Sequence, residues 1–162
     1  MHVRHTTTAV VTGKPIDLGG SRGRQEATGR GILFNCDRVL AKFRMQHLNT
    51  RVIIQGFGNV GSVTAKLMHA AGYKLVGVAD IHGALYNENG FGVPKLLDWV
   101  FAQRKALPDF PEGGAKMSAS EILFQPADIV IPAATENQIT SENAHRLQTR
   151  ILCEGANGPC TA

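Results

Sequence analysis

Three apolar residues, Val52, Ile53 and Ile54, run almost directly into three glycines, Gly56, Gly58 and Gly61, which open a segment with helical spacing: Val60, Val63, Ala65, Leu67, Met68 and Ala71. A short apolar run of this kind suits a strand buried on both faces. The glycines permit a sharp turn at its end, and Gly72 provides a C-terminal stop for the helix. Few folds accept that order. It calls for a parallel strand that hands the chain straight to a helix packed against it.

The rest of the chain repeats the pattern. Residues 6–23 carry Gly13, Pro15, Gly19, Gly20 and Gly23, so residues 1–23 are expected to form an irregular or extended lead-in, with one domain over residues 24–162. From Arg24 a helix is predicted, with Ile32, Cys36, Val39, Leu40 and Phe43 on one stripe. Gly29 and Gly31 weaken its first turns by about 1 kcal/mol each, which points to close approach by a ligand or another strand. Further strands are predicted over residues 74–79, 84–86, 128–131 and 150–153. Helices are predicted over residues 93–104, with Leu96, Leu97, Val100 and Phe101 buried, over 118–124, where Ser118 and Glu121 have capping-box spacing, and over 140–147. Alternating strands and helices specify an α/β fold: a Rossmann-like, doubly wound, mostly parallel sheet with helices on both faces.

Composition excludes several classes. At 162 residues, with 43% hydrophobic and 19% charged residues, the chain fits a single soluble domain, and no apolar run approaches the roughly 20 residues needed to span a bilayer. The opening Met1-His2-Val3-Arg4-His5 does not lead into the apolar core of a secretory signal, so a cytoplasmic protein without a membrane partner is expected. Cys36, Cys153 and Cys160 lack C-x-x-C spacing and are read as free thiols, and the six histidines show no ligand spacing, so no metal site is assigned. Residues 1–51 hold nine Lys/Arg against three Asp/Glu (+6), the remainder eight against ten (−2). No aromatic interleaving accompanies the basic excess, so it is read as a solvated or docking face and no nucleic-acid partner is expected.

The glycines form G-x-G-x-x-G, a weak pattern alone and an informative one in this setting. It follows a buried strand, leads into a helix, and is followed at the end of the next strand by Asp80. Gly56 permits the tight turn, Gly58 lets the backbone approach a diphosphate, and Gly61 allows the helix to pack closely on the strand. The helix amino terminus offers N–H groups and positive dipole to the phosphates. Asp80 can accept hydrogen bonds from the adenosine ribose hydroxyls and would repel a 2′-phosphate, so NAD is favoured as the cofactor, with NADP the alternative because His82 and Lys74 stand nearby. Glycines serving only helix packing, and an Asp80 serving only its turn, are the plainer readings.

Ligands of doubly wound sheets sit beyond the carboxyl ends of the strands. Residues 132–137 (Pro-Ala-Ala-Thr-Glu-Asn) and 154–158 (Glu-Gly-Ala-Asn-Gly) are expected there, together with Thr28. Small side chains admit a flat ring, and Asn or Thr can hydrogen-bond a carboxamide or ribose.

Five stretches in order, TGKPIDLGGSRGRQEATGRG (12–31), GFGNVG (56–61), ADIHGALYNENG (79–90), PAATENQIT (132–140) and CEGANGP (153–159), resemble the cofactor-binding half of the glutamate dehydrogenases, within the glutamate, leucine, phenylalanine and valine dehydrogenase family. The resemblance implies that Thr28 contacts the nicotinamide end. It places the turn residues Gly56, Phe57, Gly58, Asn59, Val60 and Gly61 at the diphosphate and Asp80 at the adenosine ribose. Ala134, Thr135, Asn137 and Asn157 would form the nicotinamide-side wall.

It further implies oxidative deamination of L-glutamate to 2-oxoglutarate and ammonia, in subunits that are usually homohexameric. In the family the substrate-binding lysines and the proton-relaying aspartate belong to a domain preceding T-G-K-P, and a helix and more sheet follow G-A-N-G-P. Lys14 belongs to the linker motif, so no catalytic residue is assigned. The chain is expected to be incomplete for catalysis by itself, needing the substrate domain or full-length subunits as partners. The alternative is a free-standing, non-catalytic dinucleotide-binding or regulatory module.

Overall fold

In the computed structural model, residues 13–161 are described; the part of the expected lead-in before Gly13 lies outside them. Within the rest of the lead-in, Ile16–Leu18 form one 3₁₀ turn. Helix α1 spans Arg24–Lys42 and buries Gly29, Ile32, Cys36 and Leu40, positions that share one side of a 3.6-residue helix. Strand β1, Arg51–Gln55, leads into α2, Asn59–Ala70. Next come β2, Lys74–Asp80, and β3, Gly83–Tyr86. Helix α3, Val93–Leu97, precedes β4 (Ala115–Met117), β5 (Ile129–Pro132) and β6 (Ile151–Leu152).

The strands form one sheet in the order β4-β3-β2-β1-β5-β6. Strands β2, β1, β5 and β6 run parallel, while β3 and β4 extend the sheet antiparallel as a meander at one edge. Because β2 lies on one side of β1 and β5 on the other, the chain reverses its direction of winding between β1 and β5, the topological switch point of an α/β sheet. The fold is α/β, with a mostly parallel sheet and Rossmann-like winding.

The period-two alternation of strand side chains divides the core. From β1 and β5, Val52, Ile54, Ile129 and Ile131 face α1 and α2, packing with Ile32, Leu40 and Met68. Ile53 and Val130 face the other way, onto Ile122, Leu123 and Phe124. The two helices cross closely: a Cβ at Gly29 would lie 2.8 Å from Val63 Cγ1 and 3.0 Å from Thr64 N. The approach anticipated at Gly29 is thus made by α2 rather than by a ligand or strand, and nothing stands within 4 Å of a Cβ at Gly31.

Several local expectations are corrected. Phe43, assigned to the α1 stripe, caps the helix and is 57% exposed. The helix predicted over residues 93–104 is α-helical only to Leu97 and then widens into a π turn, Asp98–Ala102, which leaves Phe101 half exposed against Phe57. The predicted 118–124 helix is a 3₁₀ turn, Glu121–Phe124, although Ser118 Oγ does accept from Glu121 N at 3.2 Å. Residues 140–147 hold only a 3₁₀ turn at Ala144–Arg146. There Asn143 accepts from Thr140 N and donates to Gln138 O, offering the backbone local partners in place of a helical ladder. Among the described residues no helix is long and apolar enough to cross a membrane, and the three cysteines are free.

One buried polar contact yields a pH prediction. Tyr73, 3% exposed at the entry to β2, donates its hydroxyl to Asp37 Oδ1 of α1 at 2.6 Å. Burial, and then the hydrogen bond to that carboxylate, holds the phenol well above its usual range. The folded protein therefore keeps a proton that the unfolded chain releases near pH 10. The stability this contributes is fully present below about pH 10 and declines as pH rises beyond it. Tyr73→Phe is expected to cost about 1–2 kcal/mol at neutral pH and to flatten the alkaline fall of the melting temperature, as read by calorimetry across a pH series.

Candidate functional site

The carboxyl ends of β2, β1 and β5 meet at one cleft of about 790 Å³. Its walls include Gly56, Phe57 and Gly58 beyond β1, Asp80, Ile81 and His82 at the end of β2, and Ala133, Ala134 and Thr135 beyond β5. Ala119, Ser120, Gln55 and Gln138 complete the lining.

The turn after β1 is built by steric exclusion. Gly56 has φ +96°, a conformation open to glycine, and a Cβ there would stand 2.7 Å from the backbone of Ala133 and Ala134. Its N–H donates to Ala79 O at 2.8 Å, which ties the turn to β2 one residue before Asp80. A Cβ on Gly61 would lie 1.9 Å from Gly56 O, so only glycine lets α2 start this close to the strand. Gly58 differs: its backbone is extended, it is exposed, and a Cβ would meet nothing within 4 Å. Phe57 turns its ring inward against Phe101, with centroids 5.9 Å apart, so it is buried at 3% exposure and borders the cleft chiefly with its backbone.

Helix α2 begins at this turn without a side-chain cap and without an acidic residue in its first turn. No side chain of the helix start therefore caps its leading N–H groups or opposes the positive end of its dipole. Asn59 is exposed at the helix start, Val60 packs partly into the core, and Gly61 is buried. Beside them, Asp80 Oδ1 accepts from the backbone N–H of His82 at 2.7 Å. That bond fixes the carboxylate at the cleft wall and leaves its second oxygen for further hydrogen bonding.

On the β5 side, the loops after β5 and β6 are zipped together. Gly155 and Ala156 donate to Pro132 O, Asn137 donates to Gly158 O, and Gln138 and Ile139 both donate to Pro159 O. The cleft lining thus gathers Gly56, Phe57, Gly58, Asp80, Ala134 and Thr135 from the residues proposed by sequence. Asn59, Val60 and Gly61 start the adjoining helix. Three others lie outside the lining: Thr28, exposed on α1, and Asn137 and Asn157, exposed on the zipped loops. Sequence reasoning passed over Gln55, Gln138, Ile81, Ala119 and Ser120. Gln55 carried a usable signal, a polar residue closing a strand that is otherwise buried, where an amide must find partners.

The chain is similar to known proteins over most of its length. The catabolic NAD-specific glutamate dehydrogenase RocG of Bacillus subtilis (strain 168) is 44% identical over 93% of this chain. An NADP-specific glutamate dehydrogenase of Synechocystis sp. is 42% identical over 98% of it. Among solved structures, the hetero-hexameric glutamate dehydrogenase of Thermus thermophilus in its Leu-bound form superposes with a TM-score of 0.84 at 30% identity over 96% of the chain. The chain spans 35%, 39% and 36% of the lengths of these three proteins, respectively. The sequence model of the Glutamate/Leucine/Phenylalanine/Valine dehydrogenase family matches residues 19–162, and the chain belongs to that family.

Proposed function

We propose that this chain is the dinucleotide-binding portion of a glutamate dehydrogenase, that residues 24–162 form the binding domain, and that NAD is its cofactor. The observation that carries the reading is the lining of one cleft by the glycine turn, Asp80 and Ala133–Thr135. Neighbouring strands are about 4.8 Å apart, so the order β2-β1-β5 sets out three subsites in a row. Asp80 would hold the adenosine ribose, the uncapped start of α2 with Gly58 the diphosphate, and the small residues Ala134 and Thr135 the nicotinamide side. Thr28, Asn137 and Asn157 are the outer contacts that the family resemblance adds. When bound, the nicotinamide ring supplies the acceptor for a hydride.

The charge at Asp80 supports NAD over NADP, because a 2′-phosphate placed there would meet a carboxylate. The titratable side chains lining the cleft are Asp80 and His82, both at its β2 end. The β5 end, where a substrate would meet the ring, is lined by Ala133, Ala134, Thr135 and Gln138, none of which moves a proton near neutral pH. Oxidative deamination of L-glutamate needs a donor within about 3–3.5 Å of the ring and an acid–base group in reach. Both would come from a substrate domain, and the working assembly would be a cytoplasmic oligomer of subunits containing both parts.

Fluorescence titration tests the binding claim: saturable enhancement of NADH emission is expected, with NADPH binding at least about tenfold more weakly. Absence of enhancement at millimolar NADH would remove the cofactor reading. The isolated 162-residue chain, given L-glutamate and NAD, is expected to produce no reduced cofactor. Adding a separately produced substrate domain would restore turnover in a dehydrogenase portion and leave a free-standing binding module unchanged.

A further inference from the structure

Gln55 closes β1 in the cleft wall and is 2% exposed. Its Nε2 donates to Ala119 O at 3.0 Å and to Gln138 Oε1 at 2.8 Å. Gln138 Nε2 in turn donates to Thr135 Oγ1 at 2.9 Å and to Glu136 O at 3.1 Å. The direction of this chain of bonds is set by its two flanking carbonyls. Backbone oxygens accept and cannot donate, so Ala119 O requires the nitrogen of Gln55 on its side, and Glu136 O requires the nitrogen of Gln138. Turning either amide over would set oxygen against oxygen. Gln55 Oε1 is buried without a partner among the described residues, a loss the flipped amide would not repair, because its oxygen would then face Ala119 O.

With both amides fixed, Thr135 Oγ1 is an acceptor toward the protein. A hydroxyl has one proton and two lone pairs, so the Thr135 proton remains for an outside partner, and Thr135 is exposed in the cleft.

We infer that Gln55 and Gln138 are positioning residues that commit the Thr135 hydroxyl as a hydrogen-bond donor, so that the β5 end of the cleft selects a ligand group presenting an acceptor oxygen there. This rests on the dinucleotide reading above and deepens it: the acceptor is an oxygen of the nicotinamide half, on either its carboxamide or its ribose. Neither glutamine touches the ligand in this scheme. They act through Thr135.

The test compares the binding of NADH, ADP-ribose and ADP to the 162-residue chain and its variants, using NADH fluorescence and calorimetry. Gln138→Met and Thr135→Val are each expected to weaken NADH about five- to tenfold, the worth of one hydrogen bond. ADP binding should be unchanged, because it depends on the glycine turn and Asp80; it also reports that each variant is folded. Thr135→Ser, which keeps the hydroxyl, should bind NADH like the parent. The double variant Thr135→Val/Gln138→Met should be no weaker than Thr135→Val alone, because the relay has nothing left to position. Gln55→Met, which leaves the Gln138 amide oriented by Glu136 O, should weaken NADH in the same direction but by less than Gln138→Met. Loss of ADP-ribose affinity in parallel with NADH would assign the acceptor to the ribose, and loss confined to NADH would assign it to the carboxamide; both support the inference.

Unchanged NADH affinity in Gln138→Met, or effects of Gln138→Met and Thr135→Val that multiply, would overturn it while leaving the cofactor reading intact. Failure of the parent chain to bind ADP and NADH would overturn the cofactor reading, and the inference with it.

Discussion

Placing a methyl group on Gly61 is expected to abolish NADH binding and to unfold the protein at a much lower temperature, whereas the same change at Gly58 should abolish binding alone. The added Cβ at Gly61 would lie 1.9 Å from Gly56 O and 3.1 Å from Ile54 Cγ2. Neither neighbour can yield easily. Gly56 is tied to β2 through Ala79 O, and Ile54 is wholly buried in the sheet. Relief must come from lifting α2 away from β1, which opens the packing of Ala65 and Met68. Overpacking of this severity belongs with the largest single-residue effects, on the order of 3–5 kcal/mol. At Gly58 the backbone already has a conformation that alanine adopts, and a Cβ enters open space. Gly58→Ala should therefore melt within about 0.5 kcal/mol of the parent while intruding where, on the proposed function, the diphosphate would approach. Thermal melts paired with NADH titrations separate the two. A Gly58→Ala protein that binds NADH normally would show that the diphosphate does not approach the turn at that point.

Removing the charge of Asp80 is expected to reverse much of the preference between the two cofactors. Hydrogen bonds from ribose hydroxyls to a carboxylate are charge-assisted, and losing them should weaken NADH about 10- to 100-fold. Removing the like charge should strengthen NADPH relative to NADH. The choice of substitution matters because Asp80 Oδ1 also holds the His82 N–H. Asp80→Asn retains an oxygen for that bond, so its effect isolates the charge; Asp80→Ala frees the turn as well. If Asp80→Asn leaves the NADH-to-NADPH affinity ratio unchanged, Asp80 is a turn residue and the adenosine ribose lies elsewhere.

These predictions draw on parts of the molecule that were unequally legible in the sequence. The β1–turn–α2 unit could be read directly, since its apolar run, glycines and helical stripe are contiguous and each answers to short-range sterics. The stop at Gly72 falls in the same class, with φ +93° just beyond the helix. The residues over 140–147 misled for a local reason that propensity misses: Asn143 finds two backbone partners within five residues and holds the chain in turns. Strand β4 was invisible because Ala115–Met117 carries no strand pattern of its own; it is a strand by virtue of pairing with β3. Phe43 and Phe101 show periodicity overreaching, for both continue a stripe past the point where the helix ends or widens.

The candidate site divides in the same way. The glycine turn and Asp80 announce themselves because backbone conformation and an isolated carboxylate at a strand end are local properties. Gln55 and Gln138 are 83 residues apart and meet only because β1 and β5 are neighbours. Thus the amino-acid order alone determined the α/β winding, the turn and the carboxylate beside it, since these depend on sterics and periodicity within a few residues. The tertiary structure decided which loops share the cleft, what closes on Gly29, and which way the Gln55–Gln138–Thr135 bonds run. Hydrogen-bond direction follows from the carbonyls facing each amide, and those carbonyls come from loops after different strands.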